Sequence, residues 1–384
     1  VRAASTAAYS LIASRSTFAV SFCLLAACGR LGFIGVGDDT SGDDGGVIDA
    51  VDGATDRPNR AFVTPDLLQG DFGGLVGADA ICASQAAAAG LPGDFIALLS
   101  TSTVNAKDRI AGSRGWVRTD GVLLADQARD FFLAGHQLAP LHLDATGVGP
   151  PSSLLVWTAA GSDGSYDSTN GACGDWTATT GSAMIGFHNR NTPFATWLTP
   201  SPCSQTAHLY CLEIGHAVEV RPPPRTGRIA FVLKVSVAND IGLAGFDAAC
   251  QAEADAAALP GTYLAAVGTS TQTIESRFAA TTPWQRLDGM ELTPTAQTMF
   301  TMRMTGFLDQ YADGFPRTSA IQVTPVRSGG PPNVMPTLAG TCNDWSTTAG
   351  TFEAGTMNSI YFTEFWSGQS ISCNTPQRHV CLQQ

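Results

Sequence analysis

At 384 residues the chain is long enough for two or three domains that each bury a core. It is 44% hydrophobic and only 14% charged, with 41 Gly and 21 Pro, which excludes a mainly disordered chain and a multi-pass membrane protein and leaves a loop-rich globular one. A formal charge of -12 argues against nucleic acid as a partner, because binding a phosphate backbone needs clustered Lys and Arg to displace counterions.

The first residues have the charge order of an export signal. Arg2 and Arg15 precede an apolar run from Phe18 to Ala27, and no acidic residue occurs before Asp38. The run is shorter than the roughly 20 apolar residues that a spanning helix needs. It ends in Leu25-Ala26-Ala27-Cys28, which resembles the lipobox of bacterial lipoproteins. That resemblance implies cleavage after Ala27, loss of Cys23 with a signal peptide 1–27, and attachment of diacylglycerol to the Cys28 thiol, so that the membrane is a partner through a lipid anchor. Gly29, where inner-membrane lipoproteins carry Asp, resembles outer-membrane sorting, and the expected location is the bacterial outer membrane.

Residues 28–57 form an acidic tether. From Asp38 to Asp56 there are seven Asp and no Lys or Arg, interspersed with Gly, the composition of a self-repelling, extended linker. The same stretch fails as an EF-hand, because with Gly45 or Gly46 at the sixth loop position the ligand positions fall on Thr40, Gly42 or Ser41.

Beyond the tether the chain repeats itself. Residues 77–103 align without gaps to 245–271, with fourteen of 27 positions identical, and the offset of 168 continues through Arg109 and Arg277 to Trp116-x-Arg118-x-Asp120-Gly121 and Trp284-x-Arg286-x-Asp288-Gly289. Cys173-Gly174-Asp175-Trp176 then matches Cys342-Asn343-Asp344-Trp345 at 169, and Cys203 and Cys211 match Cys373 and Cys381 at 170. Two homologous domains follow, 58–216 and 228–384. They are separated by a linker 217–227 whose Pro222-Pro223-Pro224 favours an extended spacer, so that the domains are expected as beads.

Each domain opens with strand formers, Ala61-Phe62-Val63 or Ile229 to Leu233. Asp79 or Asp247 is expected to cap the next helix, in which Cys82, Ala86 and Ala89 recur at i, i+4 and i+7 and put the cysteine on the buried stripe. Leu91-Pro92-Gly93 and Leu259-Pro260-Gly261 stop that helix. Phe95–Leu99 and Tyr263–Val267 read as buried strands, and the Asp-Gly pairs at 120 and 288 as hairpin turns. The fold class is α+β, with long loops in each second half.

The eight cysteines outside the leader fall into two similarly spaced sets of four, the mark of a disulfide framework in an oxidising compartment. Each set allows three pairings. Structural zinc is disfavoured, since no Cys-x-x-Cys occurs.

The order Gly77-Ala78-Asp79-x-x-Cys82, an Ala-rich helix, Gly90 to Ser100, Val156-Trp157, Cys173-x-x-Trp176 and two late cysteines resembles the endostatin domain of collagens XV and XVIII and the endostatin-like domains of bacterial surface lipoproteins. The match covers most of the first domain. The second keeps the helix, strand and cysteines but has Pro325 or Val326 where Trp157 stands, so its local core has to pack differently. The resemblance implies two tandem C-type-lectin-like domains, each with two nested disulfides: Cys82 with Cys211, Cys173 with Cys203, Cys250 with Cys381 and Cys342 with Cys373.

Catalytic signals are thin. None of His136, His142, His188, His208 and His216 has a histidine counterpart in the second repeat, and neither His-Glu-x-x-His nor Gly-x-Ser-x-Gly occurs. C-type-lectin-like scaffolds also occur in an oxidase that generates formylglycine, but that chemistry needs a catalytic cysteine arrangement, and the implied pairing engages all eight. The Glu-Pro-Asn or Gln-Pro-Asp and Trp-Asn-Asp motifs of calcium-dependent lectins are missing, and endostatin's zinc and heparin sites do not carry over to an acidic chain with no His before position 136. No cofactor is expected.

Asp175, Trp176, Asp344 and Trp345, shared by both repeats, are candidates for facing a ligand, against a structural reading in which the Trp packs on a disulfide and the Asp satisfies local backbone donors. The expected function is that of a noncatalytic envelope lipoprotein binding a protein or glycan, with a structural envelope component or an enzyme on the same scaffold as alternatives.

Overall fold

The computed structural model describes residues 57–149, 154–193, 195–279, 281–316, 325–357 and 359–384. The signal peptide, Cys28 and the tether as far as residue 56 lie outside the described residues.

The first repeat contains β1 (Asn59–Val63), β2 (Asp94–Ala97), β3 (Arg114–Arg118), β4 (Leu123–Gln127), β5 (Leu155–Trp157), β6 (Ser182–Phe187), β7 (Thr199–Pro202) and β8 (Tyr210–Ile214). Five of these form a sheet in the order β2-β8-β1-β3-β4, and β5-β6-β7 form a second. The opening strand lies antiparallel to the closing strand β8 and parallel to β3, so the two ends of the repeat meet at its centre. Within β1 the residues Ala61, Phe62 and Val63 are apolar at successive positions because both faces of the sheet are covered. Phe62 packs toward the long helix, while Ala61 and Val63 point into a second core with Trp116, Leu124 and Phe131.

The second repeat has β9 (Arg228–Val232), β10 (Tyr263–Ala265), β11 (Trp284–Gln285), β12 (Pro325–Arg327), β13 (Thr351–Thr356), β14 (Gln369–Ser372) and β15 (Arg378–Gln383). Its pairings reproduce those of the first, with β9 antiparallel to β15 and parallel to β11, and β10 antiparallel to β15. There are two differences: no strand follows β11 as β4 follows β3, so the expected hairpin at Asp288-Gly289 is reduced to the bridge between Gln285 and Glu291, and the sheets differ in continuity. β12 pairs with β15 at two positions, which joins all seven strands, whereas β5 meets the chain near β8 only at the bridge between Val156 and His208. The fold is thus mixed α/β, with several small sheets and four disulfides.

The long helices run Gly74–Ala88 and Gly242–Ala256, starting six residues earlier than caps at Asp79 and Asp247 would have them. Asp79 and Asp247 therefore lie inside their helices and do not cap them. The buried stripes are Ala78, Cys82 and Ala86 in one and Phe246, Cys250 and Ala254 in the other. The stripe aims each cysteine at the sheet, where Cys211 sits opposite Phe62 and Cys381 opposite Phe231 on the facing strand. The bonds are Cys82–Cys211, Cys173–Cys203, Cys250–Cys381 and Cys342–Cys373, first to fourth and second to third in each set.

The loss of a counterpart to Trp157 is compensated from the helix. Trp157 packs edge-on against Trp176 with ring centroids 5.8 Å apart, over the small Ala78. At the position aligned with Ala78 the second repeat carries Phe246, whose ring meets Trp345 edge-on at 5.4 Å. A large ring has moved from sheet to helix while the volume stays filled, as close packing requires.

The repeats are not separate beads. Both belong to one unit, Ala54–Gln384, and Met290 of the second enters the second core of the first. Across the junction Arg190 pairs with Glu364 at 3.0 Å, Asn191 donates to Asp309 at 3.1 Å, and the Phe307 amide donates to the Leu138 carbonyl. The Pro-rich spacer is held as well, because a Cβ on Gly289 would lie 2.1 Å from the Pro223 carbonyl oxygen. Among the described residues no helix is long and apolar enough to cross a membrane. The four disulfides are consistent with an oxidising, extracytoplasmic setting.

Candidate functional site

The Cys-x-Asp-Trp motif folds as a left-handed turn in both repeats. Cys173, Gly174, Asp175 and Trp176 have φ of 53, 60, 54 and 68°, and Cys342, Asn343, Asp344 and Trp345 have 51, 54, 54 and 64°. For residues other than Gly this backbone costs roughly 1–2 kcal/mol each, so strong tertiary contacts must hold it. Three do. The cysteine is tied to Cys203 or Cys373. The indole Nε1 of Trp176 donates to the Ser100 carbonyl and that of Trp345 to the Gly268 carbonyl, both at 2.8 Å. Each aspartate accepts two hydrogen bonds from one serine: Asp175 from the Ser102 amide and hydroxyl, Asp344 from those of Ser270. Burial alone would raise Asp344, but the Ser270 donors and the Thr341 hydroxyl hold it below the usual carboxylate range.

These contacts correct the expectation that Trp176 and Trp345 face a ligand: both are fully buried, with their N–H groups engaged in the core. The aspartates hold the turn through serines 73 and 74 residues away, joined at Asp344 by the local Thr341 hydroxyl, while Asp175 also lines an open depression beside its turn. Ser102 and Ser270 were available in the sequence as an identical pair at the 168 offset, inside the repeated Thr-Ser-Thr.

A second shared device sits on the helix. Both oxygens of Asp79 accept from NH2 of Arg109 and Oδ1 also accepts the Ala97 amide, while NH1 of Arg109 donates to the Ala97 carbonyl; Asp247, Arg277 and Ala265 repeat the arrangement. Each clamp joins the helix to β2 or β10 through charge-assisted hydrogen bonds.

Beside the first left-handed turn lies an open depression of about 480 Å³. Its lining residues include Ser102, Ser168, Ser182, Asn170, Asp175 and the half-buried Tyr166, with the Ser102 hydroxyl donating to Asp175 and the Ser182 hydroxyl to the Asn170 carbonyl. Tyr166 carries no sequence signal, since it belongs to the loop-rich half where the repeats diverge.

The arginines of the two Trp-x-Arg-x-Asp-Gly segments are buried charges. Arg286 pairs with Asp288 and, at 3.0 Å, with the fully buried Asp309. Arg118 pairs with Asp120 at 2.7 Å, and its NH1 lies 3.2 Å from Nδ1 of His142. NH1 also donates to the Pro140 carbonyl in one repeat and the Phe307 carbonyl in the other, so His142 occupies the place that Asp309 takes. Burial first, then the charges of Arg118 and Arg303 and the neighbouring His188, hold the His142 imidazole well below its ordinary range against the opposing pull of the Pro140 carbonyl.

A pH dependence follows. An unfolded imidazole titrates near 6.5 and the folded one well below, so on acidification the unfolded chain takes up the proton first. The contribution of His142 is complete above about pH 6.5 and is lost as pH falls toward the folded value, at up to about 1.4 kcal/mol per pH unit. Urea melts at pH 7 and 5.5 are expected to show this loss in the native chain and a shallower one in His142→Asn. Equal slopes in the two proteins would reject it.

Among the described residues one group brings metal-binding side chains together, Cys250, His379 and Cys381, but both sulfurs are tied up in a disulfide. No family model matches the chain, and no curated protein matches it.

Proposed function

We propose that the protein is a noncatalytic binding module of the cell envelope, built from two endostatin-like, C-type-lectin-like repeats behind a lipid anchor at Cys28, and that its ligand is a glycan. The observation that carries this reading is the depression beside the Cys173–Trp176 turn. A lining of serines, threonine, asparagine and aspartate together with Tyr166 suits a ligand that presents hydroxyls along its edge and C–H groups on its face. The scaffold supports it, since each repeat begins and ends on strands that pair with each other and its loops are braced by nested disulfides.

A glycan array probed with the oxidised protein is expected to give a defined set of hits. Tyr166→Ala, which removes the ring, and Ser168→Trp, which fills the depression, should each weaken them about tenfold or more, a loss of about 1.4 kcal/mol. An array without hits, or hits that both variants retain in full, would overturn the proposal.

A further inference from the structure

We propose that the outer edge of β14 is a docking edge for a second copy of this chain, so that two molecules join by strand addition. This edge is distinct from the depression beside Asp175 and does not depend on it. β7 and β14 hold equivalent places at the edges of their sheets, and they pair with β6 and β13 in the same register, Ser182 with Pro202 and Thr351 with Ser372. The residues differ. Thr199-Pro200-Ser201-Pro202 in the first repeat becomes Gln369-Ser370-Ile371-Ser372 in the second.

The register decides where the backbone groups point. The Cys203 amide donates to the Gly181 carbonyl and the Cys373 amide to the Gly350 carbonyl, so both cysteines face the neighbouring strand. Residues along an antiparallel strand alternate between facing a neighbour and facing away, so Ile371 faces β13 while Ser370 and Ser372 turn their N–H and C=O groups outward. In β7 the outward positions are Pro200 and Pro202, which have no N–H to offer, and such prolines protect an exposed edge. In β14 that protection is missing. Ser370 and Ser372 are exposed, and among the described residues the one hydrogen bond at their outward backbone groups is the local one from the Thr375 amide to the Ser372 carbonyl.

Self-complementarity selects the occupant. With a two-fold axis at Ile371, Ser370 of each molecule lies opposite Ser372 of the other and exchanges both N–H···O bonds with it, the Ser372 carbonyl using its second lone pair. Ile371 is half-buried at the margin of the second repeat's core, and on this axis it meets its own copy. Residues opposed outside the hydrogen-bonded pairs come closest, at about 4.5 Å between Cα atoms, so the two isoleucines cover each other. At the matching place β7 has the polar Ser201. No residue from Gln369 to Asn374 is charged, so a chain of formal charge -12 brings no like charges face to face here. Gly368, with φ of 100°, ends the strand, which keeps the junction short and the dimer reversible.

Sedimentation equilibrium of the oxidised chain in about 0.15 M salt, from about 5 to 500 µM, is expected to show a monomer–dimer equilibrium. Ser370→Pro/Ser372→Pro, which installs the first repeat's residues where the fold leaves the N–H groups unused, should weaken the dimer about tenfold or more without lowering the melting temperature. Ser370→Lys/Ser372→Lys keeps the amides but sets like charges opposite each other, and should weaken it as much. Hydrogen exchange at the Ser370 and Ser372 amides of the native chain should slow as its concentration rises. A chain that stays monomeric throughout, which would leave the edge to an extended segment of another protein, or a dimer that either variant retains in full, would overturn the proposal.

Discussion

Removal of the Cys82–Cys211 bond in a Cys82→Ala/Cys211→Ala variant is expected to lower the free energy of unfolding by about 5 kcal/mol, more than any other single cross-link in the first repeat. The bond closes a loop of sequence separation 129, and in the chain-entropy model such a loop constrains the unfolded chain by about that amount. The inner bond, Cys173–Cys203, spans only 30, for which the same model gives about 3.6 kcal/mol. The inner bond also holds a backbone that resists it. Without the Cys173 anchor the left-handed turn is free to relax, and the strain released offsets part of the lost constraint. Denaturant melts of the two double variants, read by tryptophan fluorescence, should separate the effects. The outer variant should lose more stability, and the inner one should change the environment of Trp176 before global unfolding. A loss below about 2 kcal/mol in the outer variant would show that the unfolded chain is already compact near this link.

The features that recur in the sequence are the ones that recur in space. Gly-x-Asp-x-x-Cys and the Arg109 and Arg277 positions make the same clamp in both repeats, the Trp-x-Arg-x-Asp-Gly segments keep their Arg–Asp pair, and the Cys-x-x-Trp turns keep their disulfide, indole and serine contacts. The helix start was misplaced because Asp79 and Asp247 have the residue type of a cap, while their partners, Arg109 and Arg277, stand 30 residues further on. Local pattern reading has no access to a contact at that distance. The left-handed turn was hidden for a similar reason. Asp and Asn tolerate positive φ, but Cys and Trp do not advertise it, and only the disulfide and the two long-range hydrogen bonds make it stable.

What was least legible is what differs between the repeats. The exchange of Ala78 and Trp157 for Phe246 is visible as two unrelated substitutions until the rings are seen to fill one volume. The exchange of His142 for Asp309 is invisible, because the offset has slipped from 168 to 167 by that point and no shared residue marks the register. Contact between the repeats was likewise unmarked. A triple proline fits a stiff spacer, yet Val220 just before it is 5% exposed and its amide donates to Asp126 of the first repeat, while the Pro223 carbonyl lies against Gly289 of the second.

Arg286→Met is expected to destabilise the protein by about 3–5 kcal/mol, whereas Arg118→Met, at the matching place, should cost no more than about half as much. The side chains of Arg286 and Asp309 are 1% and 0% exposed, and burial on that scale is tolerated because the guanidinium and the carboxylate face each other. Removal of the cation leaves the Asp309 carboxylate desolvated without its guanidinium partner, the circumstance in which breaking a buried pair is most damaging. In the first repeat the same deletion leaves a neutral imidazole in place of Asp309, and Asp120, whose side chain is 38% exposed, regains water. The cost there is lost packing and hydrogen bonds, without a stranded charge. A double substitution should move stability the other way: Arg286→Met/Asp309→Leu should recover at least half of the loss seen in Arg286→Met, because both charges leave together. Chemical melts of the four proteins at pH 7 decide the matter. Equal losses in Arg286→Met and Arg118→Met, or no recovery in the double variant, would mean that packing of the long side chain, and not the buried carboxylate, sets the stability of this interior.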